Sequence, residues 1–428
     1  MSHIVLTRNA MRREPLKRPF GFKGGALSQL WQTACLIEDD EGTRGLGLGV
    51  QSVLWSDATL SAQLGQEKGN RLMFSLTQYA LSLLKGRELC RPDLMTGQLI
   101  PAVWDYGRSH GFPSMRLTFV LNALTPVDWA LWQLYARKTG CLHFERLVSP
   151  LTQSLCARQQ LLGNIPLISY DTTEEEIRAL ADQGIFLYKI KIGSAPAGPA
   201  DLDAMLRWDI ARLKQVHSLV GDRVTPYTDC GYPLYYLDAN GRYDTTDRIM
   251  ALLDALDHDG ILERVLLLEE PVPEEHLQDV SRLPVRVAGD ESAHSHTDAI
   301  RLMDDYGYSA IALKPIAKTL SVTLQICEEA AKRQIPCFCA DLTVNPAMVE
   351  YSKNIAARLS PLPGLKAGVL ESNGAQNYQN WEEMKKLNPA QGYPWAEADN
   401  SLYHLDDSYY ACDGGIWLPY TEYESWLS

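Results

Sequence analysis

Six side chains able to do acid–base or metal chemistry follow one another through the middle of the chain, each closing a short apolar run. They are Lys189 and Lys191 in LYKIKIG, Asp229 in PYTDCG, Glu269 in LLLEEPVP, Asp290 in VAGDES and Lys314 in IALKPIAK. Residues two apart on a strand point the same way, so Lys189 and Lys191 share one space while Ile190 and Ile192 face the opposite side. Two ammonium groups held close disfavour each other's charge, which lowers one pKa toward the range of a working base. Asp229, Glu269 and Asp290 offer three hard oxygen ligands and leave positions open on an octahedral ion such as Mg²⁺, with Mn²⁺ as the substitute. The combination suits removal of a proton from carbon next to a carboxylate, with a cation stabilising the enediolate charge. Glu270 and Glu291 directly follow two of these acids, and alternation turns them elsewhere, as supporting or structural residues.

The elements that position this set can be read from the apolar pattern. Short runs at Ile165–Tyr170, Phe186–Ile192, Val224–Thr228, Val265–Leu268, Val285–Ala288, Ala310–Leu313, Pro336–Ala340 and Ala367–Leu370 predict eight strands. Amphipathic stretches separate them. Thr172 caps one, with Glu175 three residues on, and Gly184 ends it. Asp201–Leu219, Asp247–Leu256 and Leu320–Lys332 keep helical spacing. Strand–helix alternation over about two hundred residues points to a closed parallel barrel. An open doubly wound sheet would bring a glycine-rich loop after its first strand, and SYDTTEEE has none. In a barrel all strand C-termini open on one face, so Asp229, Glu269 and Asp290 lie side by side on its rim, with Lys314 across from Lys189 and Lys191. Ahead of the barrel, Gln32–Ile37 and Gly45–Val50 predict two strands of a meander and Ser75–Lys85 a helix. This gives an α+β domain over residues 1–130, a barrel over 131–373, and a segment 374–428 that packs back on the first domain.

Composition narrows the function classes. The 428 residues carry a formal net charge of −13, which opposes binding to nucleic acid. Nine cysteines without regular spacing read as reduced thiols, and Cys337 and Cys339 as core residues of a strand. Leu117–Ala136 is apolar, but Pro126 and Asp128 mark it as a buried helix rather than a membrane span. No apolar run follows Arg8, Arg12 and Arg13, so neither a signal peptide nor a membrane partner is expected, and the cytoplasm is the expected location. Gly45-Leu-Gly47-Leu-Gly49 lacks the following helix that a nucleotide loop needs.

The order Lys-x-Lys, Asp, Glu in EEP, Asp in DES, then Lys closing strand six resembles the enolase superfamily of mandelate racemase and muconate-lactonizing enzymes, in its muconate-lactonizing subgroup. The resemblance extends over nearly the whole chain and includes the helix at Asp128–Lys138. It implies a modified TIM barrel, (β/α)7β, beneath an α+β N-terminal capping domain completed by the C-terminal segment. It also implies Mg²⁺ on Asp229, Glu269 and Asp290, with Lys191 and Lys314 as the acid–base pair and Lys189 assisting at the substrate carboxylate. A homo-oligomer acting on a small-molecule carboxylate is implied too. By analogy, Phe20–Gly25 and Gln51–Ser56 are loops that close over substrate. Two departures stand out: Gly231 where the family often has Asn two residues after its first ligand, and Thr319-Leu320 where Gly-Gly often follows the strand-six lysine. Glu371, closing strand eight, and Asp341, closing strand seven, are candidate substrate-side groups. His294 and His296 read as helix-start residues.

Lysines on both faces of the substrate predict racemisation or epimerisation. The same half-reaction also serves β-elimination by an acid-sugar or hydroxy-acid dehydratase, a lyase, or cycloisomerisation. The non-enzymatic alternative is a catalytically silent scaffold, which could freely lose a ligand or a lysine.

Overall fold

Ten short strands among the described residues, nine of them parallel or continuous with a parallel neighbour, wrap around one axis into a sheet that closes on itself. The computed structural model describes residues 2–23, 25–194 and 201–427; Gly24, within the Phe20–Gly25 loop, lies outside them. The chain begins with an antiparallel sheet of β1 (Ile4–Phe22), β2 (Gly25–Asp39) and β3 (Arg44–Gln51). β1 was not foreseen, since its polar and charged residues hide any apolar run, and most of it is only partly buried. Helices Ala58–Leu84, Pro92–Ser109 and Leu117–Thr139 follow. The glycine repeat on β3 is a packing seat. A Cβ at Gly45 would collide with Ala130 and Leu134, and one at Gly47 with Pro126 and Ala130, all on helix Leu117–Thr139. Only glycine permits so close an approach.

The larger sheet runs through β4 (Leu161–Ile165), β5 (Leu167–Ile168), β6 (Leu187–Lys191), β7 (Leu234–Asp238), β8 (Val265–Glu269), β9 (Arg286–Gly289), β10 (Ala310–Leu313), β11 (Cys337–Cys339) and β12 (Gly368–Glu371). Each pairs in parallel with the next from β5 onward, and β12 returns to β4. Only Pro166 separates β4 from β5. Its missing N–H interrupts the ladder, while its carbonyl accepts from Lys189 N at 3.2 Å. The sheet is therefore closed, as the strand–helix alternation predicts. A tenth strand, β13 (Leu402–His404), adds antiparallel to β4. The tail after β12 thus serves both parts of the molecule: Gln32 donates to Tyr378 Oη at 2.6 Å, and Gln379 N bonds to Pro15 O at 3.1 Å.

Two local expectations change. The first barrel helix is Glu174–Asp182, with its capping box on Thr173 and Glu176, one residue later than Thr172 and Glu175. The third barrel strand is Leu234–Asp238, not Val224–Thr228. Val224 is 83 % exposed, whereas all five residues of β7 are buried. The connection after β8 carries only the 3₁₀ turn Glu274–His276 where the other connections carry α-helices. Cys337 and Cys339 are buried on β11. No helix among the described residues is long and apolar enough to cross a membrane.

Asp128, buried on helix Leu117–Thr139, ties the first domain to the barrel. It accepts from Leu320 N at 2.8 Å, Ser321 N at 3.1 Å, Ser321 Oγ at 2.5 Å and Thr96 Oγ1 at 2.6 Å. Asp128→Ala leaves two buried backbone donors without a partner, at a cost of about 3 kcal/mol, measurable by denaturant unfolding. Burial lifts this carboxyl to about 6 from an ordinary 3.8. The native state then holds the proton more tightly than the unfolded chain, so the group's contribution falls as pH rises from about 4 to about 6. Asp128→Asn should flatten that part of the stability–pH curve.

Candidate active site

Six strand ends deliver buried charges to one mouth of the barrel. Lys189 Nζ, from β6, lies 3.0 Å from Asp238 Oδ2 on β7, 3.0 Å from Glu269 Oε2 on β8 and 3.1 Å from Glu371 Oε2 on β12. Lys191 Nζ lies 2.6 Å from Asp238 Oδ2 and also donates to Asn240 Oδ1. Across the mouth, Lys314 Nζ pairs with Asp290 Oδ2, and Trp55 Nε1 donates to the same oxygen at 3.2 Å. Lys318 completes the set. Its Nζ donates to the Asp290 carbonyl at 2.5 Å and stands 3.2 Å from Asp290 Oδ1. All four lysines are buried.

The electrostatics follow from this packing. Burial alone would raise Asp238, but Lys189 and Lys191 outweigh it and hold the carboxyl at about 2. Asp290 is likewise pulled well below the carboxylate range, against burial, by Lys314 and Lys318. Glu269 goes the other way, lifted to about 7 by burial despite Lys189. Burial would lower Lys189, yet Asp238, Glu269 and Glu371 raise it well above its ordinary value. Lys314 is raised by Asp290, Glu291 and Glu269, again against burial. The expectation that the Lys189–Lys191 pair depresses one pKa therefore does not describe Lys189, because carboxylates rather than the second ammonium dominate its surroundings.

Asp229 is not brought to this mouth. It is exposed in the turn that precedes β7, and its N–H bonds to Gly364 O at 3.0 Å, at the opposite end of the barrel. The corresponding position at the mouth belongs to Asp238, which closes β7. Glu269, Asp290, Lys189, Lys191 and Lys314 do converge. Glu291 also differs from its expected outward direction, since its carboxylate lies with those of Glu269 and Asp290, their oxygens within 4.8 Å of one another. Glu270 does turn away. With φ at +42°, it accepts from Asp290 N at 2.6 Å, Ser292 N at 2.9 Å and Ser292 Oγ at 2.6 Å, which fixes the turn carrying Asp290.

Glu371 and Asp341 stand on adjacent strand ends. Glu371 Oε2 accepts from Asp341 N at 2.9 Å, and Asp341 Oδ2 from Asn373 N at 2.8 Å. Burial, then the neighbouring Glu371, lifts the Asp341 carboxyl to about 6. His294 pairs with Glu274 at 2.8 Å, and His296 opens helix His296–Asp305. A cavity lies over the lysines, and both acids line it. Phe20, Phe22, Leu27, Leu30 and Trp55 of the first domain form its apolar wall with Leu167 and Leu342.

The donor set fits a hard divalent cation. Glu269 Oε1 and Asp290 Oδ1 are buried and accept no hydrogen bond among the described residues. Six acids (Asp238, Glu269, Asp290, Glu291, Asp341, Glu371) face five ammonium groups, counting Lys23, which pairs with Glu291. A set of buried oxygens in excess of its cations is what a hard divalent ion would complete.

Sequence reasoning missed Asp238, Asn240 and Lys318, and it named Trp55 only as part of the loop Gln51–Ser56, which does line the cavity. A signal for the first two was present, since LYYLDAN is a continuous apolar run ending in Asp with Asn two residues later. That is the spacing whose absence after Asp229 stood out.

Comparison with known proteins bears on the same regions. Residues 172–361 match the family model described as enolase C-terminal domain-like. The chain is 26% identical over 357 residues to the hydrophobic dipeptide epimerase of Citrifermentans bemidjiense, covering 81% of this chain and 84% of that protein. A mandelate racemase/muconate lactonizing protein from Herpetosiphon aurantiacus superposes with a TM-score of 0.65 at 17% identity, over 95% of this chain and 96% of that one. The dipeptide epimerase from Cytophaga hutchinsonii, complexed with Mg and D-Ala-L-Val, gives a TM-score of 0.65 at 17% identity, over 88% of each chain. At that identity the two structures speak to the fold.

The two aspartates separate cleanly in a binding assay. Asp238→Asn should abolish the rise in melting temperature on adding Mg²⁺. Asp229→Asn should preserve it and shift stability by no more than about 0.5 kcal/mol, as for an exposed site.

Proposed function

We propose that this chain, an enolase-superfamily protein of the mandelate racemase/muconate lactonizing enzyme-like type, is a divalent-metal-dependent racemase or epimerase acting at the α-carbon of a small carboxylate. The observation that carries the reading is the placement of Lys191 and Lys314 on opposite sides of one buried carboxylate cluster, beneath a cavity with an apolar wall from the first domain.

Asp238, Glu269 and Asp290, with Glu291 beside them, would hold Mg²⁺. When bound, the ion would supply Lewis-acid stabilisation of the charge that develops on the substrate carboxylate, and its own charge would favour the neutral form of nearby lysines. The residues of the chain do the rest. One lysine takes the α-proton from its face of the substrate, and the other returns a proton to the opposite face, which inverts the centre. Lys189, held among three carboxylates, is placed to meet the substrate carboxylate. Trp55, Phe20 and Phe22 exclude water from above, which strengthens every charge interaction in the mouth.

The apolar wall favours a substrate with hydrophobic groups, and the acids Asp341 and Glu371 favour a positively charged or hydrogen-bond-donating end. A dipeptide of apolar residues meets both conditions, and the similarity to a hydrophobic dipeptide epimerase supports it. The surroundings of the site suit an isomerase in which both lysines are within reach of substrate rather than an eliminating enzyme that needs only one base.

Exchange of the α-hydrogen in deuterated water tests this with the Mg²⁺-loaded protein. Both epimers of a hydrophobic dipeptide should exchange and interconvert. Lys191→Ala should stop exchange from one epimer and Lys314→Ala from the other, each by about 100-fold or more, the scale of a lost general base. Exchange confined to one epimer in the wild-type protein would defeat the two-base mechanism.

A further inference from the structure

Lys23 lies at the tip of the β1–β2 hairpin, in the first domain, yet its side chain is only 10% exposed. Its Nζ lies 3.1 Å from Glu291 Oε1. That same oxygen accepts from Asn240 Nδ2 at 3.0 Å, and Asn240 Oδ1 in turn accepts from Lys191 Nζ. The adjacent Phe22 ring lies 5.7 Å from Lys191 Nζ. A continuous set of polar contacts thus runs from the hairpin tip to one of the two proposed bases. Lys314 makes no hydrogen bond to Glu291 or Asn240 among the described residues; its direct partners are Asp290 and the Trp55 ring.

We infer that Lys23 is a positioning residue for Lys191, setting where its ammonium stands through Glu291 and Asn240 when the hairpin is seated on the barrel. The inference rests on the two-base reading above for its kinetic consequence, though not for its geometry.

Several features make the contact specific. Lys23 adopts φ +50°, an uncommon conformation for a residue with a side chain, and its Nζ reaches both Glu291 and the Trp55 carbonyl. Glu291 is nearly fully buried, and its second oxygen, Oε2, has no hydrogen-bond partner among the described residues. Among the described residues it is held through Oε1, by Lys23 and Asn240. Removing the Lys23 ammonium leaves a buried carboxylate with one donor where it had two, and the carboxylate must then turn. Asn240 is held by Glu291 on its amide nitrogen and by Lys191 on its oxygen, so a turn of Glu291 is passed to Lys191. Lys23 also donates to the Trp55 carbonyl at 3.3 Å. Trp55 is anchored separately by its indole bond to Asp290 and by its own short helix Val53–Ser56, so loss of Lys23 falls on the Glu291 side.

Two readouts on the full-length, Mg²⁺-loaded protein test this. The first is exchange of the α-hydrogen from each epimer separately, in Lys23→Gln, Glu291→Gln and the double variant. Lys23→Gln should slow exchange about 10-fold or more for the epimer that Lys191→Ala silences, the scale expected when a positioned base is misplaced. Exchange from the other epimer should stay within about twofold. The double variant should be no slower than Glu291→Gln alone, as for residues acting through one connection. Equal slowing of both epimers, or no change in either, would overturn the inference.

The second readout needs no substrate. Competitive acylation of the native protein by acetic anhydride, followed by peptide mass spectrometry, compares Lys191 with Lys314. Labelling of Lys191 should rise several-fold in Lys23→Gln while Lys314 is unchanged; equal labelling in wild type and variant would refute the connection. If no carboxylate exchanges with the wild-type protein, the proposed function fails, and the labelling result alone decides the role of Lys23.

Discussion

Everything at the mouth of this barrel depends on burying opposite charges together. A lone ammonium or carboxylate taken from water into the protein interior costs several kcal/mol, and only a partner in good geometry offsets that cost. Lys189 meets three carboxylates and Asp290 meets two ammonium groups, so neither residue can be removed without stranding another. The arrangement carries more acid than base. That imbalance is why Lys189 and Lys314 are held in their charged form despite burial. Closed parallel topology is what brings the groups together, since β6, β7, β8, β9, β10 and β12 all end on the same rim.

The first domain is part of the site, not a cover laid over it. Trp55 places its indole N–H on Asp290 and its ring over the Lys314 ammonium, at 4.5 Å from the ring centre. Phe20 and Phe22 close the opposite side of the cavity. These aromatic surfaces bring the low dielectric in which a developing charge is stabilised most strongly. The antiparallel sheet is in turn held in place by the glycine seat on β3 and by the tail after β12, so the position of Trp55 is set by packing well outside the site.

Most of the barrel could be read from apolar runs, because fully buried parallel strands are short, continuous and bounded by polar turns. One barrel strand is misplaced by that pattern, for a physical reason. Val224–Thr228 has enough apolar character to pass as a strand, but it is a surface turn containing Pro226 and followed by Gly231 at φ +78°. The true strand, Leu234–Asp238, lies a few residues on and has the tighter apolar run. Shifting one strand moved one ligand position to the wrong end of the barrel, while Glu269, Asp290, Lys189, Lys191 and Lys314 kept theirs because their strands were placed correctly. Residues that reach the site from outside the barrel pattern, such as Lys23, Trp55 and Lys318, leave no periodic trace. Their roles arise from tertiary contact alone.

Thr319 holds a backbone conformation that few side chains allow. It adopts φ +65°, natural to glycine and costly, about 1–3 kcal/mol, for a β-branched residue. The strain is held by what surrounds it. The Thr319 side chain caps helix Leu320–Lys332 by accepting from Val322 N at 3.2 Å, and Asp128 accepts from Leu320 N and Ser321 N just beyond. A glycine could adopt the turn freely but could not cap the helix. The same tight turn brings Lys318, one residue earlier, back beneath Asp290, where its ammonium reaches both the carbonyl and the carboxylate. Asp290 is thus paired twice, by Lys314 on one oxygen and by Lys318 on the other. Backbone strain, a helix cap and a second buried lysine meet in one turn, which is why Thr319 is tolerated there.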